Sequence, residues 1–370
     1  MRNLYMENSR LKVLVAAGIY PPDAGGPAMH AKKHYEEFPR FGIETALVAL
    51  SYYRKYSQWI RHLFFLFALL SKALKTHVIY AHDAWGVGFP AWFVARITSN
   101  KFILRIGGDM AWERQADSNK TESSLNEWYR EGFHKNNYFF YLTRFVLKRA
   151  DLIIVSTSLL SDLYGNYYGV DPKKIKIIYN PISSIESVAI STEENIIFAS
   201  RLVAYKNLNF VLKTLSNIFL SHPTLKFIIM GDGPEKQKLS DLAKNLNIQD
   251  QIIFKGIVSQ AEVLEETKKC LFTLAPALTE FNPNYLLQGI SLNKPFLISA
   301  ENGLPFEVPI NLTFNPKNEQ DLRKRFLSLL DGNNYIAAQE AIKNLNFRMS
   351  WDDNLRQNAE IIKAFFHYNQ

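Results

Sequence analysis

The sequence contains almost no cysteine and no apolar run long enough to cross a membrane, and both gaps exclude classes of protein. Cys270 is the only cysteine in 370 residues, so an intramolecular disulfide is impossible, and the chain suits a reducing compartment. Its mostly apolar neighbours predict a small core side chain. No stretch reaches the roughly 18 to 20 apolar residues of a membrane span, and the polar start, MRNLYMENSR, does not resemble a secretory signal. We therefore expect a cytoplasmic protein, at most peripheral at the inner face of a membrane.

Acidic residues are scarce in the first half of the chain. Residues 1–180 hold 24 lysines and arginines against 15 acidic residues, whereas residues 181–370 hold 19 against 20. A basic half suits an anionic partner: anionic lipid headgroups, a phosphate-bearing acceptor or nucleic acid. Nucleic acid is the least favoured of these, because the aromatic residues are not interleaved with basic ones in any recognised module.

The dinucleotide fingerprint G-x-G-x-x-G is also missing. Instead, the apolar run LKVLVAAG (11–18) leads into a loop that carries Gly25 and Gly26 and then opens a helix. The run predicts a buried parallel strand. A Gly-Gly pair at a helix N-terminus allows the backbone to approach a ligand closely.

Apolar strands alternate with helical segments along the whole chain. This pattern predicts an α/β protein with two doubly wound domains and a cleft between them. The expected divisions are a first domain at 1–180, a linker rich in serine at 181–194, a second domain at 195–349 and a final amphipathic helix at 350–370. Residues 114–140 lack strong periodicity and are interpreted as a loop followed by a helix, which we expect to be an insertion on the acceptor side.

The segment 54–75, RKYSQWIRHLFFLFALLSKALK, is the most apolar helix candidate and has basic residues on both sides. It fits a core helix packed on the sheet, and it also fits an interfacial helix lying on an anionic membrane. Both interpretations hold together if one face packs and the other meets lipid.

The stretch 279–303, TEFNPNYLLQGISLNKPFLISAENG, predicts a loop, a short helix and a buried strand. Asn282 is expected to cap the helix, and Pro283 suits its first position. Free backbone donors and partial positive charge at that N-terminus favour an anion such as a diphosphate. Glu280 precedes the cap, and Gln288 follows about two turns later.

Two further turns carry candidate site residues. Arg201 follows a predicted strand, and Lys206 comes five residues later at a helix start, where such charges are otherwise unfavourable. This pair supplies the fixed positive charge that a leaving diphosphate needs, without a metal. Gly231 and Gly233 lie in the turn after the next strand.

In this order and spacing the motifs resemble family 4 glycosyltransferases of the GT-B fold. Glu280, seven residues and then Gln288 stand where the family has two glutamates, followed by Lys294-Pro295 and an apolar strand. The resemblance extends from Leu11 to about Phe366 and is strongest over 150–303. It implies that the C-terminal helix crosses back onto the first domain.

The resemblance also implies roles for individual residues. Arg201 and Lys206 would neutralise the diphosphate, and Glu280 would orient the donor sugar. Gln288 would hold the ribose in place of a glutamate, more weakly. The remaining donor-binding candidates are Gly25, Gly26, Gly231, Gly233, Ile257, Val258 and Asn284.

The sequence departs from the family beside Gly107-Gly108-Asp109, where a histidine is often found and is absent here. Asp83 and Asp109 end predicted strands, so they are possible acceptor or sugar contacts. Asp83 equally fits a cap on the next helix.

The resulting hypothesis is a retaining, metal-independent hexosyltransferase that uses a UDP-, GDP- or dTDP-sugar and a saccharide or lipid-linked saccharide acceptor. The alternatives are an epimerase or phosphorylase of the same fold, and a nucleotide-sugar-binding protein that has lost catalysis.

Overall fold

The computed structural model describes residues 10–23, 25–181, 193–281, 283–345, 347 and 349–368. The chain divides into two compact units. The first contains the residues up to Met110, Asn137–Asn180 and the segment from Trp351 onward. The second contains Ala111–Asn136 and Pro181–Ser350.

The strands of the first unit form one parallel sheet. They are β1 (Lys12–Ala17), β2 (Glu44–Ala49), β3 (Val78–Ala81), β4 (Lys101–Ile106), β5 (Leu152–Val155) and β6 (Ile175–Ile177). Their spatial order is β2-β1-β3-β4-β5-β6, and every pairing is parallel. The central strands are continuous apolar runs because helices cover both faces of the sheet.

Helices connect these strands. They are α1 (Gly26–Glu37), α2 (Gln58–Ala73), α3 (Gly88–Thr98), α4 (Met110–Asp117), α5 (Leu125–Arg130), α6 (Tyr138–Arg149) and α7 (Ser158–Asn166). From β2 to β5 the chain steps across the sheet in one direction. Right-handed crossovers therefore place α2, α3 and α6 on the same face. Accordingly, α2 packs on β1 and β2, α3 packs on β3 and β4, and α3 contacts both α2 and α6.

The second unit has its own parallel sheet. Its strands are β7 (Asn195–Ala199), β8 (Lys226–Met230), β9 (Ile252–Gly256), β10 (Phe272–Ala275), β11 (Phe296–Ser299) and β12 (Thr313–Phe314), in the order β12-β11-β10-β7-β8-β9. Its helices are α8 (Leu208–Ser221), α9 (Lys236–Asn245), α10 (Gln260–Lys269), α11 (Asn284–Ser291), α12 (Glu319–Leu330) and α13 (Gly332–Lys343). This strand order is that of a dinucleotide-binding fold. The predicted α/β class with two doubly wound domains is confirmed.

The final helix, α14 (Trp351–Tyr368), belongs to the first unit. Its apolar side chains, Leu355, Ala359, Ile362 and Phe366, join the core beneath the first sheet. Two buried amides fix its position: Asn358 accepts from the Tyr80 hydroxyl at 2.8 Å, and Asn354 donates to the Tyr179 carbonyl at 2.8 Å. The return of this helix to the first unit agrees with the resemblance.

Three expectations need correction or qualification. The expected first domain, 1–180, is interrupted, because 111–136 belongs to the second unit. Part of the segment interpreted as a loop, from residue 114, is the end of helix α4, which begins at Met110. Pro283 is the cap of α11 rather than its first residue. Asn282 and most of the expected linker, 182–192, lie outside the described residues.

Candidate active site

The candidate site lies where the strand order of the second sheet reverses. The strands run outward from β7 to β8 and β9 on one side, and from β10 to β11 and β12 on the other. The loops that leave the carboxyl ends of β7 and β10 must therefore diverge, which opens a crevice between them. The first of these loops carries Arg201 and Lys206, and the second carries Glu280. The two loops are tied together by a hydrogen bond from the Leu278 amide to the Tyr205 carbonyl, at 2.9 Å.

Lys206 and Glu280 form a buried ion pair. The Lys206 Nζ donates to Glu280 Oε2 at 2.7 Å. Glu280 is 1% exposed and Lys206 is 9% exposed. The ammonium group also lies 5.2 Å from the centre of the Tyr205 ring. Charges this deeply buried are stable only as a pair, so each residue fixes the position of the other.

Glu280 has one oxygen to spare. Its Oε1 is buried and has no hydrogen-bond partner. An unsatisfied carboxylate oxygen in the interior is costly, and such atoms are uncommon in folded proteins. The atom is therefore available to a hydroxyl group entering the crevice.

The backbone of Glu280 is held by the neighbouring loop after β11. The Glu280 amide donates to the Glu301 carbonyl at 3.0 Å, and the Gly303 amide donates to the Glu280 carbonyl at 2.8 Å. Residues 280 and 302 form a parallel bridge. These bonds orient the carboxylate before any ligand binds.

Arg201 is exposed and lies on a loop braced by the turn after β8. The Leu202 amide donates to the Asp232 carbonyl at 2.9 Å. A Cβ on Gly231 would lie 1.9 Å from the Ser200 carbonyl oxygen, and one on Gly233 would lie 2.3 Å from the Leu202 oxygen. Gly231 also has a φ of +138°. The two glycines are thus required by the backbone that carries Arg201, apart from any contact with a nucleoside.

Sequence reasoning missed two carboxylates on α4. Glu113 and Asp117 are one turn apart, so they share a face of the helix. Desolvation lowers the pKa of Arg201, but Tyr205 and then Glu113 and Asp117 raise it, so that the pKa lies above its usual value. Burial raises the pKa of Asp117, while Arg201 and Lys206 lower it. The spacing Glu-x-x-x-Asp directly after the Gly107-Gly108 turn is the signal that points to this pair.

The rest of the 111–136 segment is bonded to the same loops. Trp112 packs against Tyr205, with ring centres 5.2 Å apart, and against Phe281 at 6.0 Å. The Leu125 amide donates to Thr279 Oγ1 at 2.8 Å. The Glu301 carboxylate accepts from Ser124 Oγ at 2.8 Å, at the N-terminus of α5. A carboxylate is favourable at a helix N-terminus. These contacts fasten α4 and α5 to the loops after β7, β10 and β11 within the second unit.

The remaining candidates of the second unit lie after β9 and on α11 itself. Ile257 is 73% exposed directly after β9, and Val258 is half-buried against the core. Asn284 is the first residue of α11. The Gln288 amide nitrogen lies 3.4 Å from Gln260 Oε1, and Gln288 Oε1 is buried without a partner. Gln288 therefore keeps one acceptor atom for a hydroxyl group.

Gly25, Gly26 and Asp83 lie in the first unit. Gly25 caps α1, and Gly26 begins it. The Asp83 carboxylate accepts from the Trp85 amide at 2.7 Å and from the Val87 amide at 3.2 Å. Burial raises the pKa of Asp83, and these backbone donors lower it. Asp83 thus stabilises the turn before α3, which is the structural role that the sequence left open.

Asp109 is completely buried and accepts from the Tyr168 hydroxyl at 2.5 Å. The Asp109 carboxylate, a possible acceptor or sugar contact in the sequence, is thus closed off from solvent in this structure. Cys270 is a core residue, as expected, and burial raises the pKa of its thiol to about 12.

A cluster of three buried histidines, His30, His34 and His82, surrounds Arg105 at the carboxyl edge of the first sheet. We call it the histidine cluster. The His34 Nδ1 and His82 Nε2 atoms are 3.2 Å apart, and Arg105 Nη2 lies 3.2 Å from His30 Nε2. Burial and the nearby guanidinium hold the pKa of all three histidines well below the usual value. They are neutral core residues at neutral pH.

Among the described residues, no group of three or more histidine, cysteine or acidic side chains is placed to hold a metal ion. Within the same residues, no helix is both long and apolar enough to span a bilayer.

Solved structures define the class of fold. Sucrose-phosphate synthase from Thermosynechococcus elongatus superposes with a TM-score of 0.79 and 13% identity, over 97% of this chain and all of that one. Anabaena HepE, in complex with UDP-glucose, gives 0.72 and 13% identity, over 96% of this chain and all of that one. The fold is therefore GT-B.

Family comparison then places the chain. Residues 6–181 match the glycosyl transferase 4-like domain, and residues 183–346 match glycosyl transferases group 1. The two matches together cover most of the sequence. The chain belongs to the family 4 glycosyltransferases, as the motifs indicated.

Curated relatives are distant. An uncharacterized glycosyltransferase of Methanocaldococcus jannaschii, MJ1607, is 22% identical over 95% of this chain and 98% of its own. Protein CapJ of Staphylococcus aureus is 28% identical over 50% of this chain and 47% of its own. A Campylobacter jejuni N-acetylgalactosaminyltransferase that acts on a diphospho-undecaprenol-linked sugar is 27% identical, over 47% of this chain and 49% of its own. This chain thus spans about half the length of two of these three relatives.

Proposed function

We propose that this protein is a retaining glycosyltransferase of glycan or glycolipid biosynthesis. It moves a hexosyl group from a nucleotide-diphosphate sugar to a hydroxyl group of a saccharide or lipid-linked saccharide. The observation that carries the proposal is the buried Lys206–Glu280 pair at the reversal of the second sheet, with one carboxylate oxygen left unused. Two relatives whose names describe transfer to lipid-linked or O-antigen sugars support this acceptor class.

In the proposed reaction, the bond between the sugar C1 and the diphosphate oxygen breaks. The acceptor oxygen forms a new bond to C1 on the same face, and its proton passes to the departing diphosphate. Arg201 and Lys206 stabilise the negative charge that develops on that group, which is where fixed cations contribute most. The N-terminus of α8, two residues after Lys206, adds backbone donors and partial positive charge. No step requires a metal, and undiminished activity in EDTA is the expected result.

Glu280 Oε1 is proposed to accept a hydrogen bond from a hydroxyl of the donor sugar. Asp117 also has a buried carboxylate oxygen, Oδ1, without a hydrogen-bond partner. Arg201 and Lys206 lie close enough to Asp117 to lower its pKa. We assign Asp117 to the same sugar. Gln288 Oε1 is assigned to the ribose, and the exposed Ile257 to the base.

The test is a thermal-shift panel of UDP, GDP, dTDP and ADP, each with and without common sugars. A ligand at 100 times its dissociation constant adds about 2.7 kcal/mol of stability, so a raised Tm is expected for one base. Arg201→Ala should abolish the shift, whereas Lys238→Ala, on the surface of the same unit, should keep it. Release of nucleoside diphosphate only with acceptor present separates transfer from epimerase or phosphorylase activity. A folded protein that responds to none of these nucleotides would contradict the proposal.

A further inference from the structure

The outer face of α2 in the first unit is apolar. One side of the helix buries Phe65, Leu69 and Ala73 against the sheet. The opposite side exposes Trp59, Ile60, Leu63, Phe64 and Phe67, and Trp59 is 88% exposed. A helix with one packed side usually presents polar residues on the other. Helix α2 instead has two apolar stripes, and the sheet covers only one of them.

The neighbouring helix, α3, repeats this arrangement. It buries Ala91, Val94 and Ala95 and exposes Phe89, Phe93 and Ile97. Because right-handed crossovers put α2 and α3 on one side of the sheet, their outer stripes lie side by side. We call the exposed residues of both helices the α2–α3 face. This face is a patch of several neighbouring apolar residues, whereas soluble proteins normally expose such residues singly.

The next helix in this layer, α6, extends the face with aromatic and basic residues. The Phe145 ring lies 6.0 Å from Phe89 and 5.0 Å from Trp92, centre to centre. The Arg149 guanidinium lies 3.5 Å from the centre of the Phe145 ring. Tyr138 and Tyr141 are exposed on the same helix. Tyrosine and tryptophan suit an interface that is apolar on one side and wet on the other.

The charged side chains of these three helices have one sign. Helices α2, α3 and α6 contain six lysine and arginine residues and no aspartate or glutamate. Lys72, Arg96, Lys148 and Arg149 are exposed around the apolar residues, and Lys75 follows α2. Asp83 lies in the chain between α2 and α3, and its carboxylate accepts hydrogen bonds from backbone amides. Glu44 lies beside Lys72 and Lys75 at one edge of these helices, so the rim is predominantly rather than purely cationic. Apolar aromatic side chains with such a rim match the interface of an anionic bilayer.

We propose that the α2–α3 face, with α6 beside it, is a docking surface for an anionic phospholipid bilayer. This docking proposal rests on the proposed function in one respect: a lipid-linked acceptor explains why the enzyme would bind a bilayer. Bilayer binding is measured without donor or acceptor, so it can fail while transfer to a soluble acceptor survives, and the reverse also holds.

The experiment is co-sedimentation of the full chain with vesicles of phosphatidylcholine alone and of equal parts phosphatidylcholine and phosphatidylglycerol. The wild type should bind the anionic vesicles and bind the neutral ones weakly. A triple variant, Lys75→Gln, Arg96→Gln and Lys148→Gln, should bind the anionic vesicles about 100-fold more weakly, since each basic residue near such a surface contributes about fivefold. High salt should have the same direction of effect.

A second variant removes the apolar contribution. Trp59→Ser, Phe67→Ser and Phe93→Ser should abolish binding to both kinds of vesicle. The matched control is Leu220→Ser, Ile310→Ser and Ile336→Ser, three exposed apolar residues of the second unit, and it should bind as the wild type does. Equal melting temperatures establish that both variants are folded.

Three results would overturn the proposal. The first is wild-type binding that is indifferent to lipid charge, and the second is loss of binding in the control variant. The third is a concentration-dependent dimer in light scattering that the Trp59, Phe67 and Phe93 variant abolishes, without vesicle binding. That result would assign the face to a second copy of the chain.

Discussion

The variant Lys206→Met removes the charge of Lys206 and keeps its bulk. It tests whether the buried ion pair both stabilises the fold and takes part in the reaction. At 2.7 Å the pair attracts by about 6 kcal/mol at an effective dielectric constant of about 20. Desolvation of both groups offsets most of this gain. The variant leaves Glu280 charged and 1% exposed. We therefore expect a loss of about 3 to 5 kcal/mol in the free energy of unfolding of the second unit.

The assay is urea denaturation followed by tryptophan fluorescence and circular dichroism, applied to a double-mutant cycle. Glu280→Gln alone leaves the ammonium group unpaired and should also destabilise. The double variant removes both charges and should recover most of the loss. Lys238→Met, which breaks an exposed pair with Glu235, is the control and should cost less than about 1 kcal/mol.

Activity separates the two roles of the pair. The double variant should regain stability but remain about 100- to 1,000-fold slower in transfer, because the cation beside the leaving group is still missing. A Lys206→Met variant within about 1 kcal/mol of the wild type would refute the structural reasoning. A stable double variant with full kcat would refute the assigned chemistry.

Three further predictions follow from individual contacts. Gly231→Ala places a Cβ 1.9 Å from a backbone oxygen and should lower both the unfolding midpoint and nucleotide affinity. Gly332→Ala, which meets nothing within 4 Å, should lower neither, and an equal loss in both would contradict this account. The histidine cluster binds fewer protons in the folded than in the unfolded state, because burial lowers the pKa of its histidines below the usual value of about 6.5. The contribution of the cluster to stability is complete above pH 6.5 and is lost as the pH falls below that value. An unfolding midpoint that stays constant when the pH is lowered from 7.5 to 5 would count against the burial of these histidines in neutral form. Asp117→Asn should weaken binding of the nucleotide sugar but spare that of the nucleotide alone, in calorimetry with Asp241→Asn as the control; equal losses for both ligands would remove Asp117 from the sugar site.

Several features of this protein were determined by its sequence. Continuous apolar strands such as 11–18, alternating with helices, predict parallel sheets covered on both faces, because only such strands are buried on both sides. The turns that carry Arg201, Lys206 and Glu280 were also recognisable, since each follows a strand and precedes a helix. The local spacing of residues is sufficient to predict such strands and turns, because they are formed by residues that are close in the sequence.

Roles that depend on distant partners could not be predicted in this way. Asp83 and Asp109 resemble site residues in sequence, yet one is occupied by backbone amides and the other by Tyr168. Gly231 and Gly233 resemble a ligand-binding turn, yet their missing side chains are required by the backbone at 200–202. A sequence pattern does not show which atoms already have a partner.

Only the tertiary structure decided how the two sheets are ordered and where residues 111–136 belong. Strand order is a property of pairing between segments far apart in the chain, and it places the loops after β7 and β10 side by side. It also sets α2 beside α3, which joins two apolar stripes into one face. Glu113 and Asp117 approach Arg201 only because α4 packs on the second unit through Trp112. The sequence therefore determined the elements and the cations of the site, whereas long-range packing decided which carboxylates meet those cations.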